Sequence, residues 1–459
     1  MKRRTKIIIS AAAILTALAT ATLCLRHYCI NVQPTPTIDF GEKIRQAARD
    51  PRNDANAPLY PVFTQVGDAF TDHLNAYRDC MADAWVNADI DNVLTGDATD
   101  AECRAVELQF NYLVASGAFE ATTVLPQLTG ALRTYPQHQP LIETPLPEIG
   151  ATRGMVRFQT YRLAHALQRD QTPSAVAALR ESLAATRIFA QQGLLFDVSF
   201  ELAARKLLCD QLTRSISCGH VSPHTARELL AVLIEFSDQY PLSRALSIEQ
   251  NFALDLVQHT YTNDGTGDGR MITQRFMALG DPQAKPSAWT NVAGFFTASR
   301  KSVEQDIQSR YANRAAIAAL PFHQRRGVNM DPKRNTIESL SYALVDIMLP
   351  NVHAVCAQED RSTLSYRTSM IACALLVYHE QHDAYPASLA ELSSLLPADA
   401  LLDPFAHQGT FIYQPTRTGY VLWSTGTDGD FDHGTIARFD MRAFKGELNI
   451  NGDILLFPQ

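Results

Sequence analysis

The sequence predicts an α+β protein: an N-terminal membrane helix, a large mostly α-helical body, and a small C-terminal domain of one helix and a sheet. Three observations carry this reading. Cations at Lys2, Arg3, Arg4 and Lys6 precede an uncharged apolar run over 7–25. Apolar residues then recur at three- and four-residue steps through much of the chain, the period of an amphipathic helix. Beyond Asp403-Pro404 the period falls to two, and aromatic and β-branched residues take over, as in strands. The boundaries that follow are 1–30 for a signal anchor or signal peptide, 31–58 for a linker, 59–355 for the helical domain and 356–459 for the α+β domain.

Bulk composition agrees. A chain of 459 residues is too long for one ordinary core, and 46% hydrophobic against 19% charged content is globular. Net charge is −8 and the isoelectric point is near 5.9, which argues against a nucleic-acid binder.

The nineteen residues of the apolar run reach about 28 Å as a helix, close to the hydrocarbon thickness of a bilayer. The leading cations keep the front end in the cytoplasm, so the rest faces the periplasm or the cell exterior. Ala17-Leu18-Ala19 and Ala19-Thr20-Ala21 fit a cleavage site, while apolar residues continuing through Leu23 and Leu25 fit an uncleaved anchor in the inner membrane. Both readings export the body. Gln33-Pro34-Thr35-Pro36-Thr37 then forms a spacer.

Export places Cys80, Cys103, Cys209, Cys218, Cys356 and Cys373 in an oxidising space, with Cys24 and Cys29 at the anchor. Six cysteines allow 15 connectivities. Short separations suggest Cys80–Cys103 and Cys209–Cys218, whereas Cys356 and Cys373 read equally well as buried free thiols.

Within the body, Phe63, Val66, Phe70, Leu74, Tyr77 and Met81 line one helix face. Thr172-Pro173 and Ser222-Pro223 mark helix starts, and Gly193 and Gly219 mark helix ends. No consistent repeat period is present, so an irregular bundle is expected. Residues 263–270 break the rhythm. Asp264, Thr266 and Asp268 have the spacing of half a calcium loop, but Arg275 stands where the closing carboxylate belongs, so this reads as a surface loop. Helical pattern resumes over 299–319 and 336–349.

In the C-terminal domain, apolar residues at Leu364, Ile371, Leu375 and Tyr378 form a helix seam that ends near Tyr385-Pro386. Ser388-Leu389-Ala390-Glu391-Leu392 reads as a second short helix. Phe411, Tyr413 and the run 420–423 read as strands, with more at Phe439 and 454–457. Then comes Ser424-Thr425-Gly426-Thr427-Asp428-Gly429-Asp430-Phe431-Asp432. This ordered set, with the ending Gly452-Asp453-Ile454, resembles the soluble domain of the major pseudopilin of type II secretion systems, over roughly a fifth of the chain. The resemblance implies a long helix on a small antiparallel sheet and a calcium ion in the acidic loop. Asp428, Asp430 and Asp432 supply carboxylates at alternate positions that can converge on such a hard cation. One departure matters: the run 7–25 has no acid, and the first is Asp39, so the glutamate used for pseudopilin processing and filament registry is missing.

No Gly-x-Ser-x-Gly, His-Glu-x-x-His or P-loop pattern occurs. His379, His382 and Asp383 share the end of a helix, where a charged last turn is ordinary, and Glu143 and Glu148 offer carboxylates without a defined pocket. The expectation is therefore a non-enzymatic, envelope-anchored interaction protein, single-pass, whose partners are other envelope proteins. The alternative is an exported hydrolase with its active site in the helical body.

Overall fold

The computed structural model describes residues 36–49, 59–81, 89–128, 130–135, 139–279, 297–330, 334–407, 409–417, 419–427 and 454–457, with Pro34 and Gln283. The apolar run 7–25, Cys24, Cys29, Phe439 and the proposed calcium ligands Asp428, Asp430 and Asp432 lie outside the described residues. Among those described, no helix is long and apolar enough to cross a membrane.

The protein is mostly helical, with a three-stranded antiparallel sheet near its C-terminus. The α-helices in chain order are α1 (Phe40–Ala48), α2 (Leu59–Cys80), α3 (Ile90–Thr95), α4 (Asp100–Ala115) and α5 (Glu148–Gln168). Next come α6 (Thr172–Ala190), α7 (Leu195–Ser217), α8 (Pro223–Glu235), α9 (Leu242–Thr260) and α10 (Thr273–Ala278). The last are α11 (Arg300–Ala318), α12 (Phe322–Arg325), α13 (Thr336–Ser341), α14 (Ala343–Met348) and α15 (Val352–His382). Strands β1 (Ile412–Pro415), β2 (Tyr420–Ser424) and β3 (Ile454–Phe457) pair in that order.

Local chemistry accounts for many boundaries. Ser222 caps α8 by accepting the Thr225 N–H, with Pro223 at the first helical position. Helix α6 instead starts at Thr172 itself, with Gln171 as the flanking residue and Pro173 within the first turn. Gly193, between α6 and α7, has φ +83°, and a Cβ there would stand 2.7 Å from Ile248 Cδ1. Both the backbone and the close approach of α9 demand glycine. The stretch 336–349 breaks at Tyr342 into α13 and α14.

Two apolar cores result. One gathers Phe63, Phe70, Phe110, Leu163, Leu208, Leu229, Ile371, Leu375 and the sheet residues Tyr420 and Leu422. The other gathers Ile44, Val198, Leu246, Val257, Ile307, Tyr311, Val345, Val352 and Cys356. Helices α7 and α15 each contribute to both. They run parallel: Gln358 bonds the Ser199 carbonyl (2.7 Å), Ser365 bonds Asp210 (2.7 Å), and Ser369 bonds the Cys209 carbonyl (3.0 Å).

Helix α15 starts at Val352, capped by Asn351, twelve residues before the seam first seen at Leu364. It thus runs across the expected 355/356 junction and packs on α7 and α8 of the body. The hairpin β1–β2 pairs Ile412 with Trp423 and Pro415 with Tyr420. It docks on the Tyr385-Pro386 turn, where the Tyr413 hydroxyl bonds the Pro386 carbonyl (3.0 Å) and the Tyr385 and Tyr420 rings meet.

The cysteine expectations need correction. Neither Cys80–Cys103 nor Cys209–Cys218 is bonded; all four are free thiols. Cys209 lies within α7 and Cys218 caps its end, nine residues on, so about 13 Å of helix separates them, beyond disulfide reach. Cys356 and Cys373 are buried free thiols.

The N-terminal segment is fastened to the body through α9. Gln258 accepts the N–H groups of Thr37 (3.3 Å) and Ile38 (3.2 Å) and donates to the Ile38 carbonyl (2.8 Å). Its neighbour Asp255 accepts the Leu141 N–H (2.8 Å).

The connection at 130–135 is threaded through the interior by Arg133. Its guanidinium meets Glu148 (2.9 Å) and Asp197 (3.0 Å), and all three side chains are buried. Removing the cation leaves two carboxylates buried without a counter-charge. Arg133→Met is therefore expected to cost about 3–5 kcal/mol in denaturant unfolding; a loss under about 1 kcal/mol would show that the pair is not held by this residue.

Candidate functional site

A cleft of about 810 Å³ opens where the two cores diverge. Its walls are the start of α9, the α11–α12 joint, the middle of α15 and the turn 402–409. Pro321 ends the link from α11 and lets α12 begin at once, turning Arg325 inward; Arg325 is buried.

Arg325 is the central charge. One guanidinium nitrogen donates to Asp360 on α15; the other donates to the Ala318 carbonyl (3.2 Å) and lies 3.6 Å from Glu359. Glu359 also accepts the Leu242 N–H, at the first turn of α9. One guanidinium and two carboxylates therefore join α9, α12 and α15. Burial pushes Glu359 up to about 7 against the pull of Arg325, with Asp360 adding to the rise. Burial likewise pushes Asp360 up to about 6, again opposed by Arg325.

The opposite wall is held as firmly. Asp403 accepts from the Phe405 N–H (3.0 Å), the Ser424 hydroxyl (2.9 Å) and the Thr425 N–H (2.8 Å). Burial raises its pKa and these donors oppose the rise. Arg367 on α15 donates to the Leu402 carbonyl (2.9 Å). The Asp-Pro-Phe motif thus ties the turn to the end of β2.

Other candidates from the sequence are employed elsewhere. Asp264 accepts from the Thr266 N–H (2.8 Å) and hydroxyl (2.7 Å), donors that lower its pKa, and Asp268 caps α11 by accepting the Lys301 N–H (3.0 Å). His379 stacks on Tyr385 and His382 on Tyr378, so each imidazole packs on its own aromatic partner. Glu148 binds Arg133, away from Glu143 on its own short turn. Glu391 caps the 3₁₀ turn Leu389–Ser394 in a capping box with Ser388 and bonds the Tyr378 hydroxyl. Among the described residues, no three His, Cys, Asp or Glu converge to hold a metal.

Arg325, Glu359 and Asp360 carry no local motif. Glu359-Asp360-Arg361 reads as a solvated charged face, and its burial is set by the distant Pro321 turn.

The Glu359 carboxyl sits above its unfolded value, so the folded protein holds that proton more tightly. The resulting stabilisation is complete below about pH 4 and is lost as pH rises through about 7. Glu359→Gln keeps an acceptor for the Leu242 N–H and fixes the neutral form. Its melting temperature is expected to exceed that of the unmodified protein at pH 8 and to match it near pH 4. A lower value at pH 8 would mean that attraction to Arg325 outweighs burial.

Comparison with known proteins finds no matching family model, no matching curated protein and no matching solved structure.

Proposed function

We propose that this is a non-enzymatic, membrane-tethered interaction protein of the cell envelope, with its body exported and the cleft receiving an envelope partner. The observation that carries the reading is the employment of the cleft acids. Asp360 and Glu359 hold Arg325 and the first turn of α9, and Asp403 holds β2, so these carboxylates shape a recess. Support for the tether is the cation-led apolar run at 7–25. The pseudopilin-like end and its calcium ion on Asp428, Asp430 and Asp432 belong to the same proposal, resting on the order of motifs.

A photo-cross-linker placed at Ser243 or Thr363, both lining the cleft, should yield one shared adduct in native envelopes, absent from a control at exposed Asp72. Equal labelling from all three positions would count against the cleft. Alkaline carbonate should leave the full chain with the membranes; release into the supernatant would remove the tether. Millimolar calcium should raise the melting temperature relative to chelator, by less in Asp430→Asn. An unchanged melting temperature would end the calcium proposal.

A second reading has its own observation. Glu359 titrates near neutrality in a solvent-connected cleft, the range suited to general acid–base catalysis, as an exported hydrolase would need. On that reading, Glu359→Gln lowers hydrolysis of a responsive peptide, ester or glycoside by about 10²–10⁴-fold. Activity unaffected by the substitution would dismiss this residue as the catalyst.

A further inference from the structure

At the cleft's edge, His323 of α12 and His407 of the turn 402–409 bring their rings together, centroids 4.6 Å apart and planes tilted by 36°. The two residues are 84 positions apart in sequence (407 − 323), on separate elements. Beside them, Phe322 and Phe405 meet edge to face at 4.9 Å, with Phe405 only 2% exposed. That buried contact sets the separation of the two backbones. Each side is fixed independently, α12 by Arg325 on Asp360 and the turn by Arg367 on Leu402 and Asp403 on β2.

The spacing suits a metal. Two imidazoles that bind one ion at about 2.0–2.1 Å per nitrogen, at a tetrahedral angle, place their centroids about 5 Å apart. The observed 4.6 Å is close to that spacing, and His407 is exposed. The same cleft is lined by Glu359, Asp360 and Asp403 beside Arg325 and Arg367.

We propose that His323 and His407 form a two-imidazole site for a borderline divalent transition ion such as Zn²⁺. Remaining coordination positions open to the cleft, where water or a bound partner's side chain completes them. Imidazole nitrogen suits Zn²⁺, Cu²⁺ and Ni²⁺ and not Ca²⁺ or Mg²⁺. The ion would clip the C-terminal turn to α12, across the cleft mouth. This site is independent of the calcium proposal and of whether the cleft binds a partner.

The test is titration of untagged, full-length protein with ZnCl₂ by calorimetry, beside thermal melts. One saturable equivalent is expected, with a melting-temperature rise of about 2 °C or more at saturation. CaCl₂ should not produce the zinc-dependent heat. His323→Gln or His407→Gln should weaken zinc binding about ten-fold or more, while His379→Gln should not. Absence of saturable binding, or unmodified affinity in the double His323→Gln/His407→Gln variant, overturns the proposal. If those variants fold poorly, the unmodified protein decides: bound Cu²⁺ should show superhyperfine coupling to two imidazole nitrogens, and fewer than two overturns it.

Discussion

Helices α7 and α15 lie side by side and parallel, and each passes from one apolar core into the other. At the change-over the interface is polar. Glu201 pairs with Arg205 at 2.7 Å, and the guanidinium rests 4.5 Å from the Tyr366 ring centre on α15. One turn further on, Ser369 holds the Cys209 carbonyl. Sliding α15 by a turn would take Tyr366 off Arg205 and Ser369 off the Cys209 carbonyl, so a single register satisfies both helices. Helices α5, α6, α8, α9 and α11 each pack directly on this spine.

The cleft follows from the same arrangement. The two cores share α7 and α15 but have different outer layers: α8 and the sheet on one side, α9, α11 and α14 on the other. Where those layers part, the middle of α15 would face solvent along one side. Arg325, swung in from α12, neutralises Asp360 there and draws α12 and the start of α9 against the helix. A junction that would otherwise open is stitched by charge, and the space outside the stitch is the cleft.

Much of this could be read from residues. The 3.6 period marked α2 and the helices between 172 and 238, because each shows an apolar stripe to one core. Residues 420–423 read as a strand from their aromatic and β-branched content, and that strand is buried on both faces, with only Trp423 part-exposed. The first third of α15 was not legible. Its buried positions include Asp360 and Ser362, so no apolar stripe announces it. Nor was the cleft legible: Arg325 and Asp360 are 35 positions apart, and their pairing depends on the fold of α11 and α12. Buried charge leaves a polar signature in sequence that matches a solvated surface.

Gln258 gives the molecule a mechanical polarity. Three hydrogen bonds from one amide grip the backbone at Thr37 and Ile38, so any tension applied to that segment would enter at the C-terminal end of α9. The residues of α9 that border the recess sit at its other end, sixteen positions and about 24 Å away. A pull on that segment would load the far end of a rod braced along α11, away from the recess.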